Sequence, residues 1–140
     1  MREVHRYIAD AILSSDKFDP MVKQILSRKL EATGRKIAVV GAGPAGLTAG
    51  FYLAMLGHDV TVYDSKSEGG GMLRFALPEY RLPKNILGRE IELIERLGVK
   101  FNFNTRVGVD LALNDLDERF DMERASTTIC LRFAGSLRRS

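Results

Sequence analysis

Val4, Tyr7, Ile8, Ala11 and Ile12 recur along residues 2–15 at the i, i+3, i+4, i+7, i+8 spacing of one helical face, with Arg2, Glu3, Arg6 and Asp10 mostly off it. That spacing predicts an amphipathic helix. Asp19-Pro20 then offers an N-cap followed by proline at the first helical position, and Val22, Ile25, Leu26 and Leu30 make a second apolar stripe that ends before Gly34. Residues 1–34 therefore read as two short helices joined by SSDKFD. At Arg35 the period changes. Lys36-Ile37-Ala38-Val39-Val40 is a short, nearly unbroken apolar run rich in β-branched residues, as expected of a strand buried on both faces of a parallel sheet. A glycine turn, Gly41-Ala42-Gly43-Pro44-Ala45-Gly46, leads into a helix over Leu47 to Leu56 that Gly57 stops. Asp59 to Tyr63 is a second strand, closed by Asp64. Strand, glycine turn, helix, strand and acid together form a βαβ unit.

SKSEGGGMLRFALPEYRLPK follows, with Gly69, Gly70, Gly71, Pro78 and Pro83 and no apolar period, and reads as a loop of about 20 residues. Loops of that length inside a compact domain are usually functional. Pro83 and Lys84 open a helix that carries Ile86, Leu87, Ile91, Leu93, Ile94 and Leu97 and ends at Gly98. Val99 to Phe103 alternates as a third strand, Asn114 to Phe120 suggests a brief helix, and Ser126 to Phe133 a further strand. The fold class expected is α/β, a Rossmann-like βαβ unit on a parallel sheet behind two N-terminal helices. Its divisions are a helical segment over 1–34, a partial dinucleotide-binding domain over 35–121, and a tail over 122–140.

Composition narrows the function classes. The chain has 140 residues, 45% of them apolar and 28% charged, enough for one core. Its first residues are charged where a secretory signal has an apolar run, and no stretch approaches a membrane span, so a cytoplasmic location is expected. One cysteine (Cys130) and two histidines (His5, His58) exclude an internal disulfide, a four-cysteine zinc site and an iron-sulfur cluster held by this chain alone. The net charge of +3 raises a nucleic-acid reading, but all 18 acidic residues lie at or before Glu123, while Arg124, Arg132, Arg138 and Arg139 follow it. Residues 1–123 are thus close to neutral, and a basic tail without interleaved aromatics is a weak nucleic-acid footprint.

The glycines carry the chemistry. In Gly41-x-Gly43-x-x-Gly46 the first glycine permits the tight strand-to-helix turn, the second removes a Cβ that would block a pyrophosphate, and the third lets the helix pack on the sheet. Pro44 lacks an N–H where the first helical turn has no partner for one. The remaining N–H groups and the positive end of the helix dipole face an anion. Asp64, 18 residues past Gly46, ends the second strand where a carboxylate accepts hydrogen bonds from an adenosine ribose. A turn that merely packs helix on strand accounts for Gly46 but not for Gly43 or Asp64. A carboxylate repels a 2′-phosphate, which disfavours NADP and leaves FAD or NAD.

From Lys36 to about Gly108, roughly half the chain, the sequence resembles the FAD-binding segment of the glutamate synthase small subunit and its relatives, a family that includes the flavin region of dihydropyrimidine dehydrogenase. The motif GGM-L-R followed by PEYRLP carries the resemblance more specifically than the glycine fingerprint does. The resemblance implies FAD in the Gly41 site. In the family, hydride passes from NADPH to FAD and electrons go on to iron-sulfur clusters. Carried over by position, Gly41, Gly43, Ala45 and Gly46 hold the pyrophosphate and Asp64 the ribose. Gly70, Gly71, Met72 and Leu73 flank the ribityl and pyrophosphate, Arg81 lies in the strip approaching the flavin, and the Val107 backbone meets the adenine. Ala76 replaces a glycine common in the family, a methyl that narrows the approach to the flavin.

The resemblance also implies that residues 1–34 are the end of a helical iron-sulfur domain whose cysteines this chain lacks. An exposed apolar stripe there would dock that domain or a second copy. The family's second glycine motif, for NADPH, is missing, as is any constellation for acid-base or nucleophilic catalysis. Two other readings compete: NAD in the Gly41 site, and a non-catalytic assembly or electron-transfer module docking through the N-terminal helices.

Overall fold

The computed structural model describes residue 7, residues 11–13, 15–112, 114–116, 124–125 and 129–130. Most of the expected first helix, the end of the one expected from Asn114, and most of the basic tail lie outside them. Among the described residues the elements run α1 (Phe18–Leu26), β1 (Lys36–Val40), α2 (Pro44–Met55), β2 (Asp59–Tyr63), α3 (Met72–Phe75), α4 (Lys84–Arg96), β3 (Lys100–Asn102), β4 (Arg124–Ala125) and β5 (Ile129–Cys130). β1, β2 and β3 form a parallel sheet in the order β1-β2-β3, with Lys36 opposite Asp59 and Thr61 opposite Lys100. β4 and β5 pair antiparallel in a separate ribbon.

The apolar run of β1 is buried in the core although β1 stands at one edge of the three-strand order, beside the central β2. Ile37 and Val39 face one side and Ala38 the other, and all three are buried with Val60 and Val62 of β2. Each fully buried Val or Ile contributes roughly 1.5–3 kcal/mol, so these few side chains hold the sheet between its covering layers. α2 and α4 cover one face through Leu47, Leu53, Ala54, Leu87, Ile91 and Ile94. Leu116, with Val107 and Leu111, covers Ala38 and Tyr63 on the other. Both α2 and α4 stop where expected, with Gly57 and Gly98 in left-handed conformations at φ +84° and +98°.

Three expectations are corrected. α1 starts at Phe18, with Lys17 rather than Asp19 at its N-cap, because Phe18 is the buried anchor of that end and its N–H reaches Ser15 O at 3.1 Å. Pro20 then falls inside the first turn, where a missing N–H still costs nothing. The supposed loop after Asp64 contains a helical turn, α3. The third strand is shorter than Val99–Phe103, since only Lys100–Asn102 pair with β2.

α1 lies on α4: Phe18 and Val22 pack with Leu13 and Ile86, and the guanidinium groups of Arg89 and Arg96 stand 5.0 and 5.3 Å from the Phe18 ring centre. Arg96 also pairs with Asp19 and Glu92. The chain between α1 and β1 is strapped to the sheet end. Leu30 N–H donates to Met55 O and Thr33 N–H to Gly57 O, both at 2.9 Å, and Lys29 Nζ donates to Leu97 O at 2.6 Å. A Cβ on Gly57 would sit 2.0 Å from Glu31 O, so glycine is required where the strap crosses.

Candidate functional site

The turn between β1 and α2 is shaped by backbone contacts that only glycine allows. Gly41 adopts φ +100° and its N–H donates to Tyr63 O at 2.7 Å, which carries the chain off the strand end. A Cβ on Gly46 would lie 1.7 Å from Gly41 O. Gly46 is thus the residue that lets α2 close on the turn. Gly43 is different in kind. It is the N-cap of α2 with ordinary extended angles, and a Cβ there would meet nothing within 4 Å. Packing gives no reason for glycine at Gly43; the open space before the helix N-terminus does. Pro44 opens α2, and Pro44 and Ala45 are exposed beside that space.

The second glycine turn is brought onto the first. Gly70 N–H donates to Ala42 O at 2.7 Å. Gly71, at φ +50°, sits so close that its Cβ would be 2.9 Å from Gly43 Cα. Met72 and Leu73 begin α3; Met72 is 71% exposed, while Leu73 is half-buried against the core. Arg74 braces the turn from its own side, donating Nε–H to Gly69 O at 2.8 Å and pairing with Glu68 at 2.7 Å. Two glycine motifs far apart in the chain therefore form one backbone cradle.

Asp64 joins the same cradle from β2. Its Oδ2 accepts from Ala42 N–H at 2.6 Å and its Oδ1 from Lys66 N–H at 2.8 Å. The carboxylate thus fastens the glycine turn to the end of β2, and with about four lone-pair sites it keeps acceptor capacity for a ligand. It lines a cleft of about 160 Å³ together with Val40, Gly41, Tyr63, Thr105, Arg106 and Val107. The far wall is held in place by Thr105 N–H to Asp64 O and Asn104 N–H to Lys66 O, both 2.9 Å, with Asn104 itself left-handed at φ +54°. Asn tolerates that conformation better than most residues.

Of the residues singled out in the sequence, Gly41, Gly43, Pro44, Ala45, Gly46, Gly70, Gly71, Met72 and Leu73 gather around the cradle, and Asp64 and Val107 meet at the adjoining cleft. Arg81 stands apart, exposed on a turn in which its N–H donates to Pro78 O at 2.9 Å. Ala76 has φ −111° and is exposed, so its methyl meets no backbone demand for glycine. Three residues escaped the sequence reading. Thr105 and Arg106 line the cleft beside Val107, and Lys84 reaches back from α4 to the carbonyls of α3. The TRVG match pointed at the first pair's segment; no local pattern marks Lys84. Among the described residues no cluster of His, Cys, Asp and Glu could hold a metal, and no helix is long and apolar enough to cross a membrane.

Residues 39–85 match the model of the NAD(P)-binding Rossmann-like domain family. The chain is 49% identical over 89 residues to the NADP(+)-dependent formate dehydrogenase subunit beta of Moorella thermoacetica, covering 64% of this chain and 13% of that protein. It is 35% identical over 121 residues to the glutamate synthase [NADPH] small chain of Bacillus subtilis, covering 86% and 23%. It is 46% identical over 81 residues to the NAD-dependent dihydropyrimidine dehydrogenase subunit PreT of Escherichia coli, covering 58% and 20%. The structure of FprA, a Mycobacterium tuberculosis oxidoreductase, superposes with a TM-score of 0.55 at 25% identity over 63% of this chain and 21% of that one. The resemblance read from GGM-L-R and PEYRLP is borne out by these relatives. The chain spans between 13% and 23% of the length of the curated relatives named here.

Proposed function

We propose that this chain, a homologue of the glutamate synthase small chain and of oxidoreductase subunits, is the FAD-binding part of an NAD(P)H-dependent oxidoreductase. The observation that carries the reading is the joining of the two glycine turns by the Gly70 N–H to Ala42 O bond beside the unfilled space at Gly43. A turn that served packing alone has no use for glycine at Gly43 or for a second glycine turn against it. On this reading Gly41, Gly43, Pro44, Ala45 and Gly46, with Gly70, Gly71, Met72 and Leu73, hold the pyrophosphate and ribityl. Asp64 takes the ribose and the Val107 backbone the adenine. Arg81 is assigned to the flavin strip on resemblance alone.

Bound FAD supplies hydride acceptance and one-electron transfer, which is why the protein needs no acid-base constellation of its own. The residues bind and orient. The glutamate synthase relative is named for NADPH, and we assign this chain NADPH as the donor and, on the family resemblance, iron-sulfur domains or subunits as the acceptors. Residues 1–34 are then the end of a helical domain, residues 35–121 the flavin-binding unit, and residues 122–140 a basic tail.

Titration of the purified, folded chain with FAD and with NADH tests the reading. Saturable quenching of flavin fluorescence at micromolar FAD, with weaker NADH binding, is expected. A preference for NADH gives the site to a nicotinamide dinucleotide, and no binding of either ends the proposal. Deletion of residues 1–30 tests docking, because unchanged oligomeric state and solubility remove that role from the N-terminal helices.

A further inference from the structure

The ammonium of Lys84, the first residue of α4, is placed among the carbonyl oxygens at the end of α3. It donates to Leu77 O at 3.0 Å, to Arg74 O, and at the limit of hydrogen bonding to Leu73 O at 3.5 Å. A one-turn helix leaves its last carbonyls without partners, and a lysine ammonium has three donors to give. Here donors and acceptors match in number. With its N–H groups directed at carbonyls, Lys84 is placed to hold backbone rather than an anion.

Its effect runs through α3. The other end of that turn is Gly70-Gly71, bonded to Ala42 and packed on Gly43. Among the described residues one backbone bond, Gly70 N–H to Ala42 O, joins the two glycine turns directly, and α3 buries no side chain fully. A four-residue helix with so little burial has no cooperative stability of its own. Something outside it must hold it, and α4, anchored by Leu87, Ile91 and Ile94, is the rigid body in reach.

We propose that Lys84 is a positioning residue: by capping α3 from α4 it clamps the Gly69–Met72 turn onto the Gly41–Gly46 turn and so sets the width of the pyrophosphate seat. The proposal rests on the FAD reading for its functional half, and on geometry alone for the clamp. Arginine does not replace it, because a planar guanidinium cannot converge on carbonyls that surround a point.

The test is amide hydrogen exchange by NMR in the wild-type chain, Lys84→Met and Lys84→Gln, with FAD titrated into each by flavin fluorescence. Met keeps the stem and removes the donors; Gln keeps polarity and serves if Met does not fold. The expected result is exchange at Gly70 faster by about tenfold or more and an FAD dissociation constant raised by about tenfold, with the β2 amides unchanged. Gly70 exchange as slow as in the wild type overturns the clamp. Faster exchange at β2 in step with Gly70 also overturns it, since Lys84 is then a general stabiliser. If the wild-type chain binds no FAD while Gly70 still responds, the clamp stands and the FAD reading falls. Loosened Gly70 with undiminished FAD affinity removes the functional half.

Discussion

Gly43 and Gly46 sit three positions apart in one turn, and alanine at each should fail in opposite ways. At Gly46 the new Cβ lies 1.7 Å from Gly41 O and needs about 1.3 Å more to reach even 3.0 Å, which real Cβ atoms do not undercut. The obstructing atom is backbone, so relief requires α2 to back off β1 and loosen Leu47, Leu53 and Ala54. Side-chain overpacking costs about 1–3 kcal/mol, and a clash that must move backbone about 3–4 kcal/mol, against about 1 kcal/mol recovered from helix propensity. A net loss of about 2–3 kcal/mol lowers Tm by about 10 °C for a chain of this size. At Gly43 the same methyl meets nothing and the backbone angles suit it. The only stability cost is the poorer N-cap, about 0.5–1 kcal/mol. Yet that methyl enters the space assigned to the pyrophosphate, and FAD affinity should fall by at least about tenfold, or 1.4 kcal/mol. Thermal melting followed by circular dichroism, with FAD titration of each folded variant, separates the two. Gly43→Ala binding FAD as the wild type does would show that the open space is not the pyrophosphate seat, and equal melting losses would refute the division of labour.

Asp64→Asn puts an amide N–H₂ against either Ala42 N–H or Lys66 N–H, so one bond is lost and a donor faces a donor; a loss of about 1–3 kcal/mol is expected in a urea melt, together with weaker FAD binding. Gly71→Ala forces a side chain into a left-handed residue 2.9 Å from Gly43 Cα, so about 1 kcal/mol or more of stability should be lost together with FAD affinity, read by the same two assays. His58 bonds to Thr33 Oγ1 through Nδ1 at 2.6 Å, and burial followed by the nearby Arg35 charge lowers its pKa below 6.5. The unfolded chain then takes up the proton first on acidification, so this contribution to stability is whole above pH 6.5 and is lost as pH falls through the lowered value. An NMR titration placing the His58 midpoint above 6.5 would contradict that sign.

The sheet was legible because its signals are local. β1 and β2 fall at Lys36–Val40 and Asp59–Tyr63, the bounds that the apolar runs indicate, and Gly57 and Gly98 stop their helices as expected. The glycine fingerprint marked the cradle for the same reason, since Gly46 answers to an atom five residues away. What the sequence hid is long-range. α3 has no apolar period, and its carbonyls are collected by Lys84, a residue outside the turn. Asp64 is marked by its place at the end of β2, while its bonds to the Ala42 and Lys66 N–H groups are backbone contacts that no pattern encodes. The start of α1 was misplaced because burial of Phe18 outweighed the capping preference of Asp19.

α4 touches both parts of the molecule that the proposed function brings into communication. Its first residue grips the carbonyls of α3, while Arg96 pairs with Asp19 of α1 and Leu97 O receives Lys29 from the strap. Thirteen helical residues make a rod of about 20 Å. The glycine-turn cradle and α1 thus share a single beam, held at one end by an ammonium and at the other by a guanidinium. A load applied to α1, such as the docking of another domain, has a direct mechanical route to the glycine turns.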